Sequence, residues 1–217
     1  ATAVNTDAQT VILSTGHEAR YDELIVATGS RSMVPPIPGN ALEGVCTLWT
    51  MQDALDIESR LREVTRAVVI GGGLLGLEAA YALARDGIDT TVIEFMPRLM
   101  MRQLDKAAAR LFTRQVEAQG VRVVTSGDTE RILSDHGNRV TGVRLKDGRE
   151  FAADLVMIST GVQAAVESLV TSGIEIDRRI VVDDHMRTSV PHIYAAGDNA
   201  VIDHQWYGLW QVSMQQG

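Results

Sequence analysis

Three glycines set between an apolar strand and an alanine-rich helix constrain this chain more than any other feature. Residues 66–95, RAVVIGGGLLGLEAAYALARDGIDTTVIEF, read as strand, glycine turn, helix, turn and second strand, within the roughly 30 residues of one βαβ unit. That pattern commits the chain to an α/β architecture. Gly71 permits the tight strand-to-helix turn, Gly73 lets a pyrophosphate approach the backbone with no Cβ in the way, and Gly76 allows the helix to pack closely on the strand. Leu74 and Leu75 follow at the helix N-terminus, where unpaired N–H groups and the dipole favour a phosphate, and they join the glycines in the candidate dinucleotide site. Glu94 ends the second strand 23 residues past Gly71. A carboxylate there accepts hydrogen bonds from an adenosine ribose, which favours NAD over NADP. Arg98, four residues on, either accommodates a 2′-phosphate or sits as a solvated charge. Glu78 has two readings from spacing: an acid complementing the positive helix end, worth about 0.3–1 kcal/mol, or a polar contact to the nicotinamide end of the cofactor.

The chain also repeats itself. VILSTGHEARYDELIVATG, residues 11–29, is matched 132 positions later by VRLKDGREFAADLVMISTG, residues 143–161. Val11 meets Val143, Leu13 meets Leu145, Gly16 meets Gly148, Glu18 meets Glu150, Asp22 meets Asp154, and Thr28-Gly29 meets Thr160-Gly161. Each copy reads as a short ribbon followed by a buried strand that turns sharply at Thr-Gly, at the carboxyl edge of a sheet where ligands of open α/β folds bind. Two nucleotide-binding domains built alike are implied. Only the second copy follows a glycine loop, so the sequence reads as an excised or truncated piece whose first loop would precede Ala1.

Between these landmarks, MVPPIPGN places three prolines in four positions and marks a stiff, extended boundary near residue 40. Thr50 can cap a helix with Met51, Ala54, Leu55, Ile57 and Leu61 as its apolar side. Asp105 opens another through about Gln119, followed by the strand VRVVTS. TERILS, RVTGVRLKDG and REFAA suggest a small antiparallel ribbon with Asp147-Gly148 as a hairpin turn. RRIVVDDHM and SVPHIYAAGD read as further strands, and the tail WYGLWQVSMQQG is left without an assigned element.

Composition excludes several classes. At 217 residues and 45% hydrophobic content the chain can bury a proper core, while its net charge of −8 disfavours nucleic acid and anionic membrane surfaces. No apolar run reaches the roughly 18–20 residues of a membrane helix, and the start lacks signal-peptide order, so a cytoplasmic protein is expected. The single cysteine, Cys46, excludes an internal disulfide and reads as a buried, inert thiol; five scattered histidines give no metal-ligand spacing.

The segments VVIGGGLLGLEAAYALARDGIDTTVIEFMPRLMMRQLD, DLVMISTGV, YDELIVATGS…PPIPG and IYAAGD together resemble the flavoprotein oxidoreductases built from two dinucleotide-binding domains. Within them the chain is most similar to the pyridine-nucleotide part of NAD(P)H-nitrite reductase large subunits; rubredoxin reductases, ferredoxin reductases and NADH oxidases share the motifs. The resemblance implies a Rossmann-like three-layer fold with one domain incomplete. Residues 1–40 and 161–217 would be two segments of a partial FAD-binding domain around an NAD(P)-binding domain at 41–160. It also implies hydride transfer from NAD(P)H to FAD and electrons passed onward to an acceptor domain or protein. Gly71, Gly73, Gly76, Glu78, Glu94 and Gly161 match pyridine-nucleotide positions, Thr28 and Gly29 match the strand end near FAD, and Asp198 of AAGD matches the carboxylate that holds the flavin's ribityl hydroxyls. No residue is assigned as general acid or base, because the cofactor performs the redox step. Two departures stand out: VQAAVESL follows the second Thr-Gly where the family has an Arg-Pro or similar pair, and Trp49 replaces a common arginine. The stretch is expected to bind NAD(H) weakly and FAD poorly, FAD belonging to the full-length protein. Exposed apolar surface makes a homo-oligomer a further expectation, and a non-catalytic NAD(H)-responsive binding module is the rival from another class.

Overall fold

The structure, a computed structural model, describes residues 1–217. Two compact units divide the chain: residues 32–161 form one, and residues 1–31 with 162–217 form the other.

In the unit 32–161, five parallel strands are ordered Val45–Cys46, Leu155–Ile158, Arg66–Ile70, Asp89–Ile93 and Val121–Val124. Leu155–Ile158 and Arg66–Ile70 are almost wholly apolar because both faces of the sheet are covered, while Asp89–Ile93 also buries Thr90 and Thr91. Val69 and Val92 point to a cluster with Leu77, Ala80 and Leu83 of the helix Leu74–Arg85 and Ile57 of the helix Met51–Arg60, with Phe112 and Val116 of the helix Lys106–Ala118 packed against it. Val68, Ile70 and Ile93 alternate to the other face. There they meet Val143 and Leu145 of an antiparallel ribbon, Thr129–Ser134, Val140–Leu145 and Glu150–Ala152. The result is three layers: helices, sheet and ribbon. The proline segment belongs to this unit, since Ile37 packs on the ribbon-side cluster and the Pro38 carbonyl accepts from Ile132 N at 2.8 Å. The boundary therefore falls after Arg31, ahead of residue 40.

Thr50 caps its helix as its chemistry dictates, with Asp53 completing a reciprocal capping box. The apolar side differs from expectation. Ile57 is buried, but Met51 and Leu55 are 77% and 50% exposed. At 100° per residue, those two lie on the far side of the helix from Ile57.

The unit 1–31 with 162–217 has a core of Val4, Val26, Leu169, Ile180, Val182, Ile193 and Ala195. It holds the antiparallel ribbon Ala3–Asn5, Thr10–Ile12 and Glu18–Arg20, and the parallel pair Leu24–Val26 and Ile193–Ala195. A three-stranded sheet, Ile176–Asp177, Arg179–Val182 and Ala200–Ile202, and a helix Trp210–Gln216 in the tail complete it.

Both copies of the repeat fold alike. Gly16 and Gly148 adopt φ of +80° and +89°, and their amides donate to Leu13 and Leu145 at 2.9 and 3.0 Å, so the same hairpin turn closes each ribbon. The strands that follow differ. Leu155–Ile158 is buried throughout, whereas Ile25 in the first copy is 66% exposed against 2% for its counterpart Met157. The expectation of a buried strand is corrected there: Leu24–Val26 pairs only with Ile193–Ala195, while Leu155–Ile158 is flanked by a strand on each side.

Asp154 shows what the second copy anchors. Its carboxylate accepts from the Thr65 amide and hydroxyl at 3.1 and 2.7 Å and from the Arg66 amide and guanidinium at 3.0 and 2.9 Å, pinning the start of the central strand. Burial opposes its ionisation, but these donors outweigh burial and hold the carboxyl well below the usual carboxylate range. A depressed acid contributes stability that is complete above the unfolded value of about 3.9 and is lost as pH falls through the folded one. Asp154→Ala is thus expected to lose about 1–3 kcal/mol at pH 7. Urea unfolding should show its deficit against the wild type shrinking steadily below about pH 4; a deficit unchanged at pH 2.5 would contradict the account.

Candidate functional site

Five parallel strands ending at one edge leave a cavity of about 860 Å³ over their carboxyl ends, within the unit 32–161. Its wall includes Gly71, Gly72, Gly73, Leu74, Glu94 and Gly161. That volume falls within the 300–1,000 Å³ typical of cofactor pockets.

The glycine turn is built by close approach. At Gly71 φ is +115°, and a Cβ there would stand 2.1 Å from the Ser159 carbonyl oxygen. A Cβ on Gly76 would stand 2.2 Å from the carbonyl oxygen of Gly71. Helix and turn are therefore in backbone contact, which fixes where the helix begins. Gly73 is different, with nothing within 4 Å of an added Cβ. It occupies the N-cap with φ −78° and ψ 176° and makes no side-chain cap, so the first amides of the helix Leu74–Arg85 are uncapped at the cavity.

Glu94 is held rather than loose. Its Oε2 accepts from Gly72 N at 2.6 Å and its Oε1 from Met96 N at 2.7 Å. Each carboxylate oxygen retains a further acceptor position, so the group can take a vicinal diol while the backbone fixes its direction. The Gly72 amide was not legible as a partner from spacing; a glycine in the middle of the run 71–73 was its only signal. A Cβ on Gly72 would meet Leu99 Cδ2 at 2.6 Å and Glu94 Oε2 at 3.0 Å, which explains why that position too is glycine.

Arg98 lines the cavity, with its Nε donating to the Leu104 carbonyl at 3.3 Å and its Nη2 to the Met101 carbonyl at 3.4 Å. Its guanidinium braces the 98–104 turn. Arg102, not singled out from sequence, lies on the same wall. Leu75 and Glu78 are exposed on the helix and Gly76 is buried beneath it; none of the three lines the cavity.

Thr28, Gly29 and Asp198 come together in the other unit. Asp198 accepts from Ser30 Oγ at 2.8 Å, and its carbonyl is contacted by Arg179, whose guanidinium stacks 3.7 Å from the Trp206 ring centroid. Asn199 is fully buried, with its amide donating to the Val26 carbonyl and to Thr28 Oγ1, both at 3.0 Å. Its Oδ1 has no donor. A buried orphan acceptor beside Thr28 is costly unless a ligand or water completes it.

Burial pushes the Cys46 thiol up to about 12, which removes the thiolate that nucleophilic or redox chemistry would need. No helix is long and apolar enough to cross a membrane.

The chain is 42% identical over 206 residues to an NAD(P)H nitrite reductase of Bacillus subtilis (strain 168), covering 95% of this chain and 25% of that protein. It is 35% identical over 206 residues to a rubredoxin-NAD(+) reductase of Pseudomonas putida, covering 95% of this chain and 53% of that one. Among solved structures, an NAD-dependent persulfide reductase from A. fulgidus superposes with a TM-score of 0.91 at 35% identity, over 100% of this chain and 42% of that chain. The chain thus spans about a quarter to a half of the length of these relatives. With the family's sequence pattern matching residues 1–217, and with the uncapped helix, the fixed acid and the two-unit fold in place, this chain belongs to the pyridine nucleotide-disulphide oxidoreductase family.

Proposed function

We propose that residues 32–161 bind NAD(P)H, with NAD(H) favoured, and that residues 1–31 with 162–217 form part of an FAD-binding domain, in an oxidoreductase that passes electrons onward in the manner of a nitrite reductase. The observation that carries the reading is the meeting, in one cavity, of uncapped helix amides at Gly73 and Leu74 with a carboxylate already oriented by Gly72 and Met96. The amides hold the pyrophosphate, and Glu94 takes the adenosine ribose hydroxyls. A 2′-phosphate would meet the Glu94 charge, which is the basis of the preference for NAD(H).

FAD, when bound, supplies the ring that accepts the hydride. Residues of the second unit fit such a polyhydroxylated group: Asp198 offers a carboxylate, and the orphan Oδ1 of Asn199 next to Thr28 calls for a donor. Likeness to the nitrite reductase, the more similar of the two named enzymes, supports reading the onward electron path in that manner.

NADH titration, followed by its fluorescence, tests the reading. Saturable binding is expected, and Glu94→Ala should weaken it at least about tenfold, the scale of a lost charged hydrogen-bond pair. Absence of saturable binding, or an unchanged Kd in the variant, would overturn it.

A further inference from the structure

We propose that Arg102 and the exposed face of the helix Lys106–Ala118 form a cationic track that draws the anionic dinucleotide to the mouth of the 860 Å³ cavity; this rests on reading that cavity as the dinucleotide site.

A chain of net charge −8 repels an anionic ligand at long range. Against that background, cations recur every fourth residue at Arg102, Lys106, Arg110 and Arg114, and all four are exposed. In a helix, four residues advance about 6 Å and turn about 40°, so Lys106, Arg110 and Arg114 make a row along one side. The opposite side, with Ala109, Phe112 and Val116, is the one that packs on the core.

None of the chain's ion pairs involves any of the four. Like charges at i,i+4 cost a helix a few tenths of a kcal/mol per pair. The row is therefore an expense to the fold that no ion pair offsets. Glu117 is the one acid within the helix, and the N-cap Asp105 has its carboxylate on the Ala108 amide.

The row also starts in the right place. Arg102 and Gln103 line the cavity, and the helix begins three residues later. It recedes from the mouth toward the Val121–Val124 strand, whose exit at Gly127–Thr129 returns to the cavity wall. The acids on that wall are already engaged: Asp128 pairs with Lys146 at 2.8 Å, and Glu94 holds two amides. An anion approaching along the helix meets Arg114, Arg110, Lys106 and Arg102 in turn before it reaches the uncapped amides. Arg110 and Arg114 lie outside the cavity, so their effect is on encounter and not on the bound state.

Stopped-flow NADH fluorescence on the chain and on Arg110→Glu/Arg114→Glu tests this. At an ionic strength of about 20 mM, the association rate of the variant is expected to fall about fivefold with the dissociation rate unchanged, the gap closing near 0.5 M salt where the Debye length is only a few ångströms. Arg62→Glu/Arg85→Glu, exposed near the amino ends of the parallel strands and away from the cavity, changes net charge equally and should leave association near the wild-type rate. Matching thermal midpoints would establish that all variants are folded. An equal fall in the control, an unchanged association rate in the track variant, or a change confined to dissociation would each overturn the track. Absence of any saturable NADH signal in the wild type would instead remove the dinucleotide reading beneath it.

Discussion

Gly71→Ala is expected to lower the stability of the unit 32–161 by about 3–5 kcal/mol, enough to threaten a domain whose total is typically about 5–15 kcal/mol. Two costs add. An L-residue at φ +115° is strained by about 1–3 kcal/mol, and a Cβ placed 2.1 Å from the Ser159 oxygen and 2.7 Å from its carbonyl carbon adds overpacking of similar size. Both obstructing atoms are backbone, so no rotamer change relieves the clash. Nor can the turn slide away: Gly71 N donates to the Ile93 carbonyl at 2.8 Å, and Ser159 N donates to the Ile70 carbonyl at 2.8 Å, which ties the turn to a strand on each side. The thermal midpoint should fall by about 10 °C or more for a chain of this size. A midpoint within about 3 °C of wild type would show that the strand Leu155–Ile158 yields where the packing says it cannot.

The same contacts show why so much of this fold was legible in the sequence. A buried parallel strand must be apolar on both faces, so AVVI and LVMI announce themselves, and a helix crossing between two such strands has few other places to go. Capping chemistry is local too, which is why Thr50 and Asp105 mark their helices within a residue. What stayed hidden depends on side chains that meet across the sequence. Gly72 reaches Glu94 from 22 positions away, and Arg98 spends its guanidinium on carbonyls of its own turn; neither partnership has a spacing signature. Met51 and Leu55 misled because hydrophobicity alone does not say which side of a helix faces the core. Ile25 misled for a related reason, since an apolar strand is buried only if its neighbours are there to cover it. The cation row from Arg102 to Arg114 was present in the letters all along, but its meaning needed the cavity at one end of the helix.

Gly73→Ala should leave the fold intact and weaken NADH binding at least tenfold, that is by about 1.4 kcal/mol or more. The contrast with Gly71 is what makes the variant informative. Gly73 has φ −78° and ψ 176°, a conformation any residue adopts, and an added methyl meets no protein atom within 4 Å. Alanine is a poorer N-cap than glycine by up to about 1 kcal/mol, but no side-chain cap is lost because none is made. The thermal midpoint should therefore stay within about 4 °C of wild type. The space that the methyl fills is nonetheless the space through which a pyrophosphate must come to place its oxygens about 3 Å from the amides of the helix. Protein packing leaves the space above Gly73 open, so beyond the N-cap preference the methyl acts on what occupies the cavity. If the variant binds NADH as tightly as the wild type at unchanged stability, the phosphates do not rest on this helix. Glu94 would then be orienting some group other than a ribose.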